Sequence, residues 1–227
     1  MGGQACVFYG AAEFSRDTDF AILADAANLA RLGKALAELQ GRVIAVPPFE
    51  LKYLKRGHAI HFRCQHPETF GMRVDIMAKM RGVEPFPKLW RRRTTIELPD
   101  GLKCDLLGLT DLVLAKKTQR DKDWPMIRRL VEAHYFQNRD KPNPQQIRFW
   151  LGELRTPALL IEVARSNAGL ARRVVLKRPL LAEAISADAA QLERALREEE
   201  SAERERDKLY WLPLRNELER LRHSREA

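Results

Sequence analysis

With 227 residues, 45% of them hydrophobic and 31% charged, the chain has apolar material for one domain with a core, or a core plus an appendage, and wholesale disorder is excluded. No run approaches the roughly 18 apolar residues that span a bilayer. No basic-then-apolar leader opens the chain, and Cys6, Cys64 and Cys104 show neither metal nor disulfide spacing, so a cytoplasmic protein with reduced thiols and no membrane partner is expected. The net charge of +9 is spread along the chain: residues 1–100 carry 15 Lys and Arg against 11 Asp and Glu, the remainder 25 against 20. That permits a polyanionic partner without requiring one.

In chain order, a short helix is predicted over 4–10, directly after Gly2-Gly3. The apolar run "TDFAIL" (18–23) has strand character. Asp25 is placed to cap a helix over 26–39, with Leu29, Leu32, Leu36 and Leu39 on one face. "RVIAV" (42–46) reads as a strand stopped by Pro47-Pro48. "AIHFRC" (59–64) and "MRVDIM" (72–77) are two further strands. "TTIEL" and "LKCDLL" flank "PDG" (99–101), a hairpin signal. Helices follow over about 109–118, 124–136, 144–152 and 157–168, and the densely charged 186–208 reads as a solvated helix laced with i,i+4 pairs. These elements divide the chain into an α/β core over 1–137, a linker at 138–144 ("NRDKPNP") and a helical region over 145–227.

Asp17 and Asp19 lie two apart at the start of a strand, so both side chains project from one face. Adjacent carboxylates repel unless a cation or a basic residue lies between them, and Arg16 should point the other way. A divalent ion, Mg²⁺ or Mn²⁺, suits such a pair, since it takes one or two carboxylates together with waters and phosphates. A third acid is then expected on a neighbouring strand, and Asp75, alone within apolar "MRVDIM", fits; taken singly it reads equally well as a solvent-facing strand residue. Gly2 and Gly3 would let backbone N–H groups approach an anion at a helix start, although a glycine pair by itself is a weak signal. A phosphate binder beside a carboxylate metal site describes an enzyme that handles a nucleoside triphosphate.

The stretch "GGQACVFYG…FSRDTDFAI" resembles the nucleotidyltransferase superfamily of polymerase-beta-like fold, in which Gly-Gly or Gly-Ser precedes an Asp-x-Asp or Asp-x-Glu flanked by apolar residues. "MRVDIM" stands where that family's third metal carboxylate lies. Within "LTDLVLAKKTQRDKDWPMIRRL" (109–130), Lys116, Arg120, Lys122 and Asp123 match a Lys on one helix and a basic element opening the next. The match covers roughly residues 1–135. The resemblance implies a mixed sheet flanked by helices and transfer of a nucleoside monophosphate from an NTP, with release of pyrophosphate. It assigns Asp17, Asp19 and Asp75 as metal-binding and catalytic residues, and Gly2, Gly3, Lys116, Arg120 and Lys122 as triphosphate-binding residues. It is closest in character to minimal, toxin-type members, which implies a tRNA or protein acceptor and a cognate antitoxin protein. In the family a helix and a buried strand precede the glycines; here Met1 stands at the end of that strand's place, and an N-terminally short core is expected.

Two other functions are open to the same residues: a catalytically degenerate nucleotide- or RNA-binding module of this fold, and an antibiotic-modifying transferase, which the basic balance disfavours. The arginines of "WRRRTT" (90–95), and the group Arg165, Arg172, Arg173, Lys177 and Arg178, read either as phosphate contacts or as solvated basic surface. His58, His61, His66 and His134 show no ligand spacing, and Trp90, Trp124, Trp150 and Trp211 are expected to pack rather than stack on bases.

Overall fold

The computed structural model describes residues 1–226; Ala227, the last residue of the expected helical region, lies outside them. The fold is mixed α/β, with a helical C-terminal region. Two compact units are present: Met1–Ala115 together with the chain from Leu209 onward, and Lys116–Lys208. The segment 138–144, expected as an interdomain linker, joins two helices inside the second unit.

The first unit opens with α1 (Gly2–Phe8), so the two glycines are the first residues of the helix rather than a turn before it. Strand β1 (Asp17–Ala21) follows, then α2 (Ala26–Glu38), whose N-terminus is capped by the Asp25 carboxylate accepting from Asn28 N at 2.7 Å. Strand β2 is only Arg42–Val43, because Pro47 and Pro48 follow closely and cannot donate to a ladder. Helix α3 (Leu51–Arg56) was not expected, yet its stop was written in the sequence: Lys55 and Arg56 in the last turn, then Gly57 with φ 117° as a left-handed cap. Strands β3 (Ile60–Arg63) and β4 (Arg73–Met77) complete a four-stranded sheet of order β1-β4-β3-β2. β1 runs parallel to β4, and β3 is antiparallel to both of its neighbours.

The alternation of β3 and β4 decides where the core lies. Ile60, Phe62 and Cys64 from one strand, with Val74 and Ile76 from the other, bury one face against Leu29, Leu32, Leu36 and Leu39, the stripe foreseen on α2. The opposite face therefore carries the residues between them. Beyond the sheet lie α4 (Phe86–Arg91), a hairpin of β5 (Thr94–Glu97) and β6 (Lys103–Leu106), and α5 (Leu109–Lys116). The hairpin turns where Gly101 takes φ 82°, as "PDG" predicts.

The second unit contains α6 (Asp123–Asn138), α7 (Pro144–Glu153), α8 (Pro157–Ser166), α9 (Ala168–Val174), α10 (Leu181–Ser186) and the first part of α11 (Ala189–Glu226). α7 starts on a capping box in which Asn143 and Gln146 satisfy each other's backbone donors. Trp124, Ile127, Leu130, Trp150, Leu151, Leu160, Leu181 and Leu192 form its buried apolar interior. No helix of the described residues is long and apolar enough to cross a membrane.

Candidate active site

Strand pairing brings together the acids that lie far apart in sequence. In the parallel ladder Asp19 stands directly opposite Asp75, and Asp17 opposite Arg73. Registered residues of neighbouring strands share a face, so Asp17, Asp19 and Asp75 all project from the side of the sheet away from the apolar core. On the other flank His61 is registered with Asp75, and Arg63 with Arg73.

Asp75 is 7% exposed, which overturns its reading as a solvent-facing strand residue. Its Oδ1 accepts from Arg73 Nε at 2.9 Å and lies 2.8 Å from His61 Nδ1. Arg73 Nη2 also lies 3.1 Å from His61 Nδ1, and one ring nitrogen cannot donate to a carboxylate and accept from a guanidinium at once. Burial pushes the Asp75 carboxyl up, but the hydrogen bonds from His61 and Arg73 outweigh it and hold the group below the usual carboxylate range. Arg73 in turn holds its proton more firmly than usual. Its hydrogen bond to Asp75 is the largest cause, partial burial opposes it, and the charges of Asp75, Asp17 and Asp19 add to it. One guanidinium thus stands in the field of all three carboxylates. Arg63 is exposed and makes no ion pair among the described residues.

The glycines serve this face by what they lack. A Cβ on Gly2 would fall 1.8 Å from Asp19 Oδ2, and one on Gly3 would fall 2.3 Å from Ser15 Oγ. Gly2 also has φ +63°, a conformation that side chains disfavour. The start of α1 therefore lies directly against the Asp19 carboxylate. The Met1 amine donates to the Asp19 carbonyl at 2.7 Å, and Ser15 Oγ donates to the Asp17 carbonyl at 3.0 Å. β1 is an edge strand of the sheet, so these carbonyls point away from β4.

The cations that the sequence assigned to triphosphate belong to the second unit. Lys116 Nζ reaches Asp123 Oδ1 at 3.1 Å, and Arg120 Nε reaches Oδ2 at 2.7 Å. Thr118 Oγ1 donates to the same carboxylate at 2.6 Å. Lys122 is exposed at the N-cap of α6. Burial pushes Asp123 up, while Lys116, Thr118 and Arg120 together pull it below its ordinary value.

Two of the three arginines of "WRRRTT" are paired within their own unit. Arg92 grips Asp111 through two hydrogen bonds, at 2.8 and 3.0 Å. Arg93 binds Asp105 at 2.9 Å and lies 4.1 Å over the Trp90 ring, itself stacked on Phe86. Trp124 and Trp150 are buried, as expected of packing residues. His58, 1% exposed, is bonded to Glu217 at 2.8 Å, and His134 accepts from Trp150 Nε1 at 2.9 Å, with burial pushing its imidazole down. None of the three cysteines forms a disulfide among the described residues.

No protein-family model matches the chain, and no curated protein sequence matches it. The candidate site therefore stands on its own chemistry. Its donor set is all carboxylate oxygen on one sheet face, which suits a hard divalent cation such as Mg²⁺. Among the described residues, however, no three His, Cys, Asp or Glu side chains are gathered into one metal-holding group, and Arg73 supplies the local positive charge. Sequence reasoning missed Arg73 and His61. Arg73 was legible as the residue two before Asp75 on the same strand face; His61 needed the cross-strand register.

Proposed function

We propose that this chain is a metal-dependent nucleotidyltransferase that moves a nucleoside monophosphate from an NTP to an acceptor and releases pyrophosphate. The observation that carries the reading is Asp19 placed opposite Asp75, with Asp17 on the same face and Arg73 in the field of all three carboxylates. Adjacent carboxylates on one face repel, and a divalent ion between them would offset that repulsion. The family resemblance assigns Asp17, Asp19 and Asp75 as the residues that would hold the ion, which when bound neutralises charge on the phosphoryl oxygens.

The chain's own residues do the positioning. β1 and β4 fix the three acids on one surface, and Gly2 admits the backbone of α1 against Asp19. Asp75, with Oδ1 committed to His61 and Arg73, keeps Oδ2 to accept the proton of an incoming hydroxyl. Triphosphate binding by Gly3, Lys116, Arg120 and Lys122, a tRNA or protein acceptor, toxin-like action and a cognate antitoxin follow from the family resemblance alone.

One observation favours a second reading, a module of the same fold that binds nucleotide or RNA without turnover. Arg73 lies among the acids and bonds Asp75 as a structural ion pair would. Incubation with each α-labelled NTP, Mg²⁺ and total RNA or lysate separates the two. Transfer by the wild type that Asp17→Ala abolishes supports the enzyme. No transfer, with nucleotide binding retained, supports the module.

A further inference from the structure

Most cations in the second unit's part of its longest helix are paired along that helix. On α11, Arg197 pairs with Glu193, Arg204 with Glu200, Arg206 with Glu203 and Lys208 with Glu205, each three or four residues apart. Residues 163–182 break this habit. They contain no Asp or Glu, yet carry Arg165, Arg172, Arg173, Lys177 and Arg178.

Arg178 is the exception within the exception. It is 5% exposed and fully engaged: it donates to Glu199 and to the carbonyls of Leu151 and Leu154, all at 2.9–3.0 Å. The other four are exposed and make no ion pair among the described residues. Burial along α9 fixes their direction. Ala171 is fully buried, so Arg172, Arg173 and the following Lys177 fall on the outward side, around Gly169, where an added Cβ would meet nothing within 4 Å. Arg173 lies in the last turn of α9 and Lys177 in the turn that follows the helix. Arg165 is exposed in the last turn of α8.

We infer that the outward face of α9 and the turn after it, with the last turn of α8, docks the phosphodiester backbone of a nucleic acid. Guanidinium forks match phosphate oxygens two at a time, and successive cations without acids are what a repeating anion requires. A membrane surface is disfavoured because the only fully outward apolar side chain in this stretch is Leu176, too little for an apolar face. The inference deepens the transferase reading by giving its acceptor class, and rests on that reading only for what happens to the bound strand.

The test is fluorescence anisotropy of the full chain with a labelled single-stranded RNA, titrated with salt. Triple substitution Arg172→Ser, Arg173→Ser, Lys177→Ser is expected to weaken binding at least ~10-fold and to lower the log–log salt slope by roughly two. Arg194→Ser with Arg197→Ser, on α11, removes charge elsewhere and should change both far less. Circular dichroism confirms that each variant is folded. A DNA strand of equal length separates the sources: equal binding assigns the site to the shared phosphodiester backbone, weaker binding to RNA itself. The inference is overturned if the triple variant binds like the wild type, if the α11 variant loses as much, or if the triple substitution abolishes binding to anionic vesicles while the wild type binds no nucleic acid. Binding without label transfer would leave this surface standing and sink the transferase; transfer unaffected by the triple variant would do the reverse.

Discussion

Asp75 and Asp123 look alike in isolation. Both are buried, both are held below the ordinary carboxylate range, and both take an arginine and a second cationic or titratable partner. Their surroundings separate them. Asp123 is one acid among Lys116, Thr118 and Arg120, all within seven residues, so its charge is answered locally and the cluster staples the chain between α5 and α6. Asp75 shares its face with Asp17 and Asp19, and Arg73 stands in the field of all three. Burial and pairing therefore do not mark a candidate site; the gathering of several carboxylates on one strand face does.

The largest way to break this comparison is Asp123→Ala. It strands Lys116 beneath the surface and is expected to destabilise the chain by about 3–5 kcal/mol, as loss of one partner of a buried pair does. Urea denaturation reads it; a loss under about 1 kcal/mol would show that Asp123 is no staple. Asp19→Ala should do the opposite: label transfer falls roughly 10²-fold or more, while the urea midpoint moves little. Comparable losses in both assays would merge the two acids into one structural class.

Gly2→Ala comes next. The methyl group would collide with the Asp19 carboxylate in a strained backbone conformation, at a cost of about 1–3 kcal/mol. An unchanged Tm together with unchanged transfer would show that α1 does not lie against Asp19. Acid titration sharpens the contrast further. Asp75 and Asp123 both have folded-state values below 3.8, so their stabilisation is present above about pH 4 and is lost as pH falls through the lowered values. Stability of Asp123→Asn followed from pH 6 to pH 2 should fall less steeply than that of the wild type, and an identical slope would refute the pairing. The smallest effect is expected at Arg197→Gln, which breaks an exposed i,i+4 pair and should stay within about 0.5 kcal/mol.

Much of the scaffold was legible residue by residue. Asp25 announced α2, the leucine spacing announced its buried face, and "PDG" announced the hairpin, because caps, periodicity and turns are local chemistry. The same-face placement of Asp17 and Asp19 followed from the two-residue strand period alone. Helices α3 and α4 were missed since each is six residues long and too short for a periodic signal, although Gly57 marked the end of the first.

The sequence by itself determined the elements, the apolar faces and the list of acids that a site would draw on, since each depends on neighbours a few residues away. Only the tertiary structure decided which acids meet. Strand register set Asp19 against Asp75 and brought His61 to the same carboxylate, and packing turned Arg178 inward while leaving Arg172 and Arg173 outside. Those pairings join residues 14 to 56 positions apart or depend on a buried partner such as Glu199, and no local rule encodes a distance of that kind.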